Sequence, residues 1–311
     1  MNETWDVIVV GGGAAGLSSA LMLGRARRRV LVVDAGSPRN RFAAHMHGVL
    51  GNEGTDPAEL LARGRREAAG YGVEIRGGRV DRVDEADDVV TVALDDGTTS
   101  SARALVVATG MTDRLPELPG LAERWGRTVL HCPYCHGWEV RDRRLGVLAT
   151  SPMDVHRAQL VRQWSDDVVV FAGGAGAIEP EAETRLRARG IELVTSAVTE
   201  VLGDGETITG VRTEDGATVA VDAIFSGGQP EPHDTFLAHL GLSRTETPLG
   251  SFVEVDETGR TSAGRIWAVG NVVNPAATVP MAVGAGALTG GAVNMALVTE
   301  DFDRAVAEPA P

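Results

Sequence analysis

The chain has 311 residues, 29 basic against 43 acidic, and a net charge of −14. That balance excludes, as a first expectation, a phosphate backbone or an anionic membrane surface as partner. Its length exceeds a usual single domain, and 39 glycines without a strict period point to many tight βα turns of an α/β fold rather than to a fibre.

Residues 5–36, WDVIVVGGGAAGLSSALMLGRARRRVLVVDAG, read as an apolar strand, a glycine turn, an apolar-periodic helix and a second strand ending at Asp34. Gly11, Gly13 and Gly16 fall on GxGxxG. The first opens the tight turn, the second admits a pyrophosphate to the backbone, and the third lets helix pack on strand. Asp34 stands where an adenosine ribose offers its hydroxyls. With a strand-like segment beginning at Trp5, no secretory leader is expected ahead of it. No apolar run is expected to reach the ~18 residues of a bilayer span, so a cytoplasmic protein follows.

Residues 79–99 predict a β-meander with DDG as a turn, and ARALVVATG (102–110) a buried strand ending at Thr109 and Gly110. HCPYCH (131–136) then holds the only two cysteines. Haem attachment would need an oxidising compartment, and a zinc site would need a tetrahedron that His131, Cys132, Cys135 and His136 are too close in sequence to close, so no metal is expected. A redox dithiol is the reading favoured: a CxxC entering a helix sets its thiols near backbone N–H groups that stabilise thiolate, and His136 exchanges protons near neutral pH.

RLGVLAT (144–150), VHRAQLVRQW (155–164) and DVVVF (167–171) repeat the βαβ rhythm without its fingerprint. Ala149, Ser151 and Asp154 stand where glycines would, with Pro152 inside the turn, and no Arg follows to clamp a 2′-phosphate. A domain that no longer binds NADPH is expected. Further on, GRIWAVGN (264–271) gives a strand ending at Gly270 and Asn271. A small-residue helix follows over 281–297, its N-terminus near Thr278 and Val279 suited to the electron-rich edge of a reduced flavin.

With GGGAAG, VVATG, CPYCHG and GRIWAVGN in this order, the chain resembles the low-molecular-weight thioredoxin reductase-like flavoproteins along essentially its full length. CPYCHGWE and RNRFAAHMHGVLG (39–51) resemble their dithiol oxidase branch most, whose members close the disulfides of holomycin and gliotoxin. The resemblance implies an α/β fold of two Rossmann-like, three-layer ββα dinucleotide-binding-type domains. FAD would be held by 1–115 and 246–311, with the CxxC domain, 116–245, inserted between them. It also implies that Ala14, Ala15, Ala35, Arg41, His47 and Val80 border the FAD, that Asn271 hydrogen-bonds the ribityl chain, and that the protein is a homodimer. The activity implied is oxidation of a small dithiol by oxygen through Cys132, Cys135 and His136, giving peroxide. Two other readings stay open: an NAD(P)H- or ferredoxin-linked disulfide reductase, and a non-catalytic flavin redox sensor.

Overall fold

The computed structural model describes residues 4–86, 88–151 and 153–307, so Pro152 lies outside the described residues. The chain divides into two units. The first takes the residues up to Arg39, Ala58–Thr112, and those from Pro230 on; the second takes Asn40–Pro57 and Asp113–Gln229.

The apolar run that opens the chain becomes strand β1 (Thr4–Val10), followed by helix α1 (Ala14–Arg25) and strand β2 (Val30–Asp34). Helix α2 (Pro57–Ala69) leads to β3 (Glu74–Gly77), and the predicted meander is β4 (Val80–Ala86), β5 (Val89–Leu94) and β6 (Thr99–Val107). The sheet runs β3-β2-β1-β6-β5-β4. β1 lies parallel between β2 and β6, with Val7 opposite Val30 and Ala104. A parallel strand covered on both faces reads as a continuous apolar run, which is what VIVV does.

After β7 (Met111–Arg114) the second unit begins with β8 (Val129–Leu130), the one-turn helix α3 (Pro133–His136) and β9 (Leu145–Leu148). Then come α4 (Met153–Val161), β10 (Val168–Phe171), α5 (Pro180–Ala188) and β11 (Glu192–Val194). An antiparallel ribbon of β12 (Val198–Asp204), β13 (Thr207–Thr213) and β14 (Thr218–Ala220) precedes β15 (Ala223–Ser226). The parallel sheet here has the order β11-β10-β9-β15-β8. Phe171 and Phe225, almost wholly buried, fill its two faces. Each stabilises the unit by roughly 2–3 kcal/mol through burial.

The chain returns through β16 (Gln229–Pro232), the hairpin β17 (Arg244–Thr247) and β18 (Gly250–Val253), and β19 (Ile266–Ala268), and ends in helix α6 (Val279–Ala307). β6 is shared: Thr99–Ala102 pair with β5, and Leu105–Val107 pair in parallel with β19. The return falls at Pro230 rather than near 246, and Asn40–Pro57 joins the second unit. The physical reason for the early return is Leu237, which is buried among the strands of the first sheet.

One expectation needs correction. α6 carries no charged residue from Val279 to Thr299, and it is long and apolar enough by length and composition to cross a bilayer. Its inner face, however, is core. A Cβ on Gly286 would stand 2.2 Å from the Ala15 carbonyl oxygen, and one on Gly290 2.7 Å from that of Ser19. Glycine lets α6 lie directly on α1, and Ser19 Oγ donates to Gly286 O at 2.7 Å.

Candidate active site: a nucleotide cradle and a CxxC turn

In the first unit, Gly11 leaves β1 with φ +107, and a Cβ on it would meet Ala108 O at 2.3 Å. A Cβ on Gly16 would stand 1.9 Å from Gly11 O, so only glycine lets α1 start this close to the strand. Gly13 has nothing within 4 Å of its Cβ position: its face is open, as a pyrophosphate would require. Ala14 and Ala15 form the first turn of α1. Asp34 ends β2 and is already engaged, Oδ1 accepting from Gly36 N at 3.2 Å and Oδ2 from Arg65 Nη2 at 2.6 Å. Arg65, on α2, was not singled out from the sequence, where nothing marks it among its neighbouring arginines. A carboxylate has room for further donors, so the ribose role stays open to Asp34. Ala35 is exposed just beyond it.

Thr109 and Gly110 follow β6 as expected. Thr109 Oγ1 donates to His233 O at 2.7 Å, and Gly110, at φ +69, has open space at its Cβ position. Val80 is a core side chain, so only its main chain can meet a ligand. Gly270, at φ +80, leaves room for Ala15, whose Cβ would be 2.9 Å from a Cβ there. Asn271 spends its amide N–H groups on Asn274 O (2.9 Å) and Ala277 O (3.0 Å), closing the loop before α6. Its Oδ1 is therefore the atom left for a ribityl hydroxyl. Thr278 O accepts from Ala282 N at 2.9 Å, so α6 starts at Val279 with its first N–H groups unspent by the helix.

Cys132, Cys135 and His136 come together in the second unit. Cys132 is the N-cap of α3, Pro133 is at its first position, and Cys132 O accepts from Cys135 N (3.1 Å) and His136 N (3.2 Å). These two bonds close the turn and bring the two cysteines onto one short helix start. Both cysteines are half-buried. Gly137 is required: a Cβ there would meet Pro133 O at 2.5 Å and the Trp164 ring at 2.7 Å. His136 is held below the usual imidazole range, chiefly by burial, with the His47 charge acting the same way and the Glu139 carboxylate opposing. Its Nδ1 is buried without a well-aligned hydrogen-bond partner. Arg41 and His47 also belong to the second unit. Arg41 stacks on Phe42, its guanidinium 4.2 Å from the ring centroid. His47 Nδ1 lies 2.7 Å from Glu53 Oε1, and its Nε2 3.6 Å from Glu139 Oε1. Neither glutamate was singled out from the sequence.

The turn after β9 is the counterpart of the glycine cradle. Asp154, on the first turn of α4, is buried. Its Oδ2 accepts from Thr150 N (2.9 Å), Ser151 N (3.0 Å), Ser151 Oγ (3.2 Å) and Thr150 Oγ1 (3.3 Å), while Oδ1 pairs with Arg157. The carboxylate thus does more than repel a phosphate; it takes the donors a phosphate would use. Arg157 was missed, although its spacing three residues after Asp154 was visible. Beside this turn, a cavity of about 360 Å³ is lined by Gly173, Gly176, Ile178, Leu193, Thr195 and, as its one charged residue, Glu183.

These features match known proteins over nearly the whole chain. The family model of pyridine nucleotide-disulphide oxidoreductases matches residues 5–286. The chain belongs to that family. Within this family it is similar to the thioredoxin reductase tcpT of Claviceps purpurea, 30% identical over 95% of each chain. It is also similar to the thioredoxin reductase sirT of Leptosphaeria maculans, 29% identical over 96% of each. Among solved structures, HlmI superposes with a TM-score of 0.94 at 43% identity, covering 99% of this chain and 98% of the other. An oxidoreductase from Agrobacterium tumefaciens gives 0.89 at 38%, covering 99% and 100%. The chain is a flavin-dependent disulfide oxidoreductase of thioredoxin reductase-like fold, with Rossmann-like dinucleotide-binding domains and a CxxC pair.

Proposed function

We propose that this oxidoreductase is a dithiol oxidase: it closes an intramolecular disulfide in a small-molecule dithiol and passes the electrons to molecular oxygen, giving hydrogen peroxide. The observation that carries this reading is Asp154, whose carboxylate takes up the phosphate-binding donors of the second βαβ turn. That leaves the dithiol as electron source. The sequence resemblance to the branch acting on secondary-metabolite dithiols agrees, and a cytoplasmic setting would keep such substrates reduced.

The first unit fits FAD, with the open face of Gly13 for the pyrophosphate, Asp34 for the ribose and Asn271 Oδ1 for the ribityl chain. Flavin, when bound, supplies a two-electron acceptor that oxygen can reoxidise. The chain's own residues do the rest. A substrate thiolate attacks Sγ of Cys132 in the Cys132–Cys135 disulfide, and Cys135 leaves as thiolate. His136, neutral because buried, takes the proton of the second substrate thiol. That sulfur attacks its neighbour in the mixed disulfide, releasing Cys132 thiolate and the cyclic product. The Cys132/Cys135 dithiol then carries two electrons for the flavin. Cys132→Ser and Cys135→Ser are expected to abolish turnover and leave a yellow, folded protein. Turnover retained by either variant would remove the pair from the mechanism.

A second copy of the chain is the partner proposed for α6. Met281, Leu288, Met295 and Phe302 are 52%, 57%, 64% and 72% exposed, and their seven-residue spacing, interleaved with Gly284, Gly291 and Val298, makes a helix-pairing seam. In a chain of net charge −14, an uncharged face is where two copies can meet without repulsion. Sedimentation should give a dimer for the wild type and a monomer for Leu288→Asp; a monomeric wild type would contradict this pairing.

A further inference from the structure

Gly12 stands between the first two fingerprint glycines, at a position GxGxxG leaves free, yet the fold requires a glycine there. A Cβ on Gly12 would stand 2.6 Å from Asp34 Oδ2 and 2.7 Å from its Cγ, so the carboxylate lies directly on the turn that carries the open face of Gly13. Asp34 Oδ1 accepts from Gly36 N at 3.2 Å, and Oδ2 from Arg65 Nη2 at 2.6 Å. Gly12, Gly36 and Arg65 thus fix the carboxylate from within the first unit, each oxygen keeping a lone pair for a further donor.

Arg65 reaches this place because α2 lies close on α1. Leu61 and Ala68 are buried, and between them a Cβ on Gly64 would be 3.3 Å from Leu17 Cδ1. That approach brings Arg65, the next residue, to the end of β2. The arginines around it are placed differently: Arg63 pairs along the helix with Glu59, Nη2 2.6 Å from Oε1, and Arg66 is exposed. The Arg65 side chain is 35% exposed, and an ion pair this open to water contributes little to stability. Among the described residues, Nη2 is the one Arg65 nitrogen with a partner. Nε and Nη1 carry the remaining donors of a rigid planar fork.

We infer that Arg65 is a cofactor-binding residue: with Asp34 it forms a donor–acceptor pair that holds the adenosine ribose of FAD. A ribose hydroxyl both donates and accepts, so a carboxylate alone satisfies half of it. Side by side, the two groups satisfy it fully, Asp34 taking the hydroxyl hydrogen and the guanidinium donating to the hydroxyl oxygen. The pair also balances charge. The diphosphate expected along Gly13 is an anion, the Asp34 carboxylate on the same turn is another, and Arg65 is the cation that offsets the carboxylate. The inference rests on the reading of the first unit as the FAD site and is independent of the direction of electron flow.

The test is titration of the full-length apoprotein with FAD, and with FAD analogues lacking the 2′- or the 3′-hydroxyl of the adenosine ribose, followed by the change in flavin fluorescence. Removing the hydroxyl that the pair holds is expected to weaken wild-type binding by about 10–100-fold. Arg65→Met is expected to weaken FAD binding by about 10-fold or more, and to shrink the ratio between FAD and the deoxy analogue by about 5-fold or more, the non-additivity that direct contact produces. An Arg65 that merely supported the fold would weaken all three ligands equally. That result overturns the inference, as does a wild type that binds FAD and both analogues alike. If Arg65→Met does not fold, Arg65→Lys decides, because an ammonium keeps the charge beside Asp34 but lacks the planar fork. A wild-type ratio in Arg65→Lys then overturns the pair. An apoprotein that binds no FAD at all is a distinct result: it removes the FAD site from the first unit, and the pair with it.

Discussion

Two turns of the same design, one in each unit, have opposite contents. After β1 the turn into α1 is kept clear by Gly11, Gly13 and Gly16, with space at Gly13 where an anion can lie against backbone N–H groups. After β9 the turn into α4 is filled by the chain's own Asp154 carboxylate, bonded to two backbone N–H groups, two hydroxyls and Arg157. The lesson is that the same turn can leave its donors to an anion or satisfy them with a side chain of its own. An unfilled anion site left inside a protein costs about 1–3 kcal/mol for each unsatisfied buried group.

The comparison breaks most completely at Gly16. Gly16→Val would place a Cβ 1.9 Å from Gly11 O, and the protein is expected to purify without flavin, read as loss of the yellow absorbance. On the other side, Asp154→Ala strands the half-buried guanidinium of Arg157 and two backbone donors. The expected loss is roughly 3–5 kcal/mol, a fall of about 10 °C in the melting temperature of the second unit. A variant that melted like wild type would mean that the carboxylate does not hold this turn. A finer test concerns the CxxC turn itself. Burial keeps His136 below the ordinary imidazole range, so the dithiol reduction rate should rise with pH along a limb lying below that range and be level at neutral pH. The sign follows because the neutral imidazole is the base. His136→Gln should lose that limb and run about 100-fold slower.

Much of this was legible in the sequence, because periodicity and glycine spacing encode backbone. The first βαβ unit, the meander, the second βαβ rhythm and the CxxC turn all lie where the pattern predicted them. The first cradle was legible for the same reason, its requirement being the absence of side chains. What could not be read were side-chain pairings that only the folded chain creates. Arg65 reaches Asp34 from α2, and Glu53 and Glu139 reach His47 from opposite directions; only the folded loop brings them together. Asn271 shows a subtler gap: its type was noticed, but not that its amide N–H groups would be used to close the loop to α6. The length of α6 was underestimated because glycines break an apolar stretch to the eye, although here they serve close packing on α1.

The direction of electron flow is the central claim, and one experiment addresses it. The purified flavin-loaded protein would be mixed anaerobically, in separate shots, with excess NADPH and with a small dithiol, and then exposed to air. The account predicts bleaching at 450 nm by the dithiol, none by NADPH, and return of the colour in air with peroxide released. Rapid bleaching by NADPH would contradict it, because the nucleotide would then have found a site in the second unit despite Asp154.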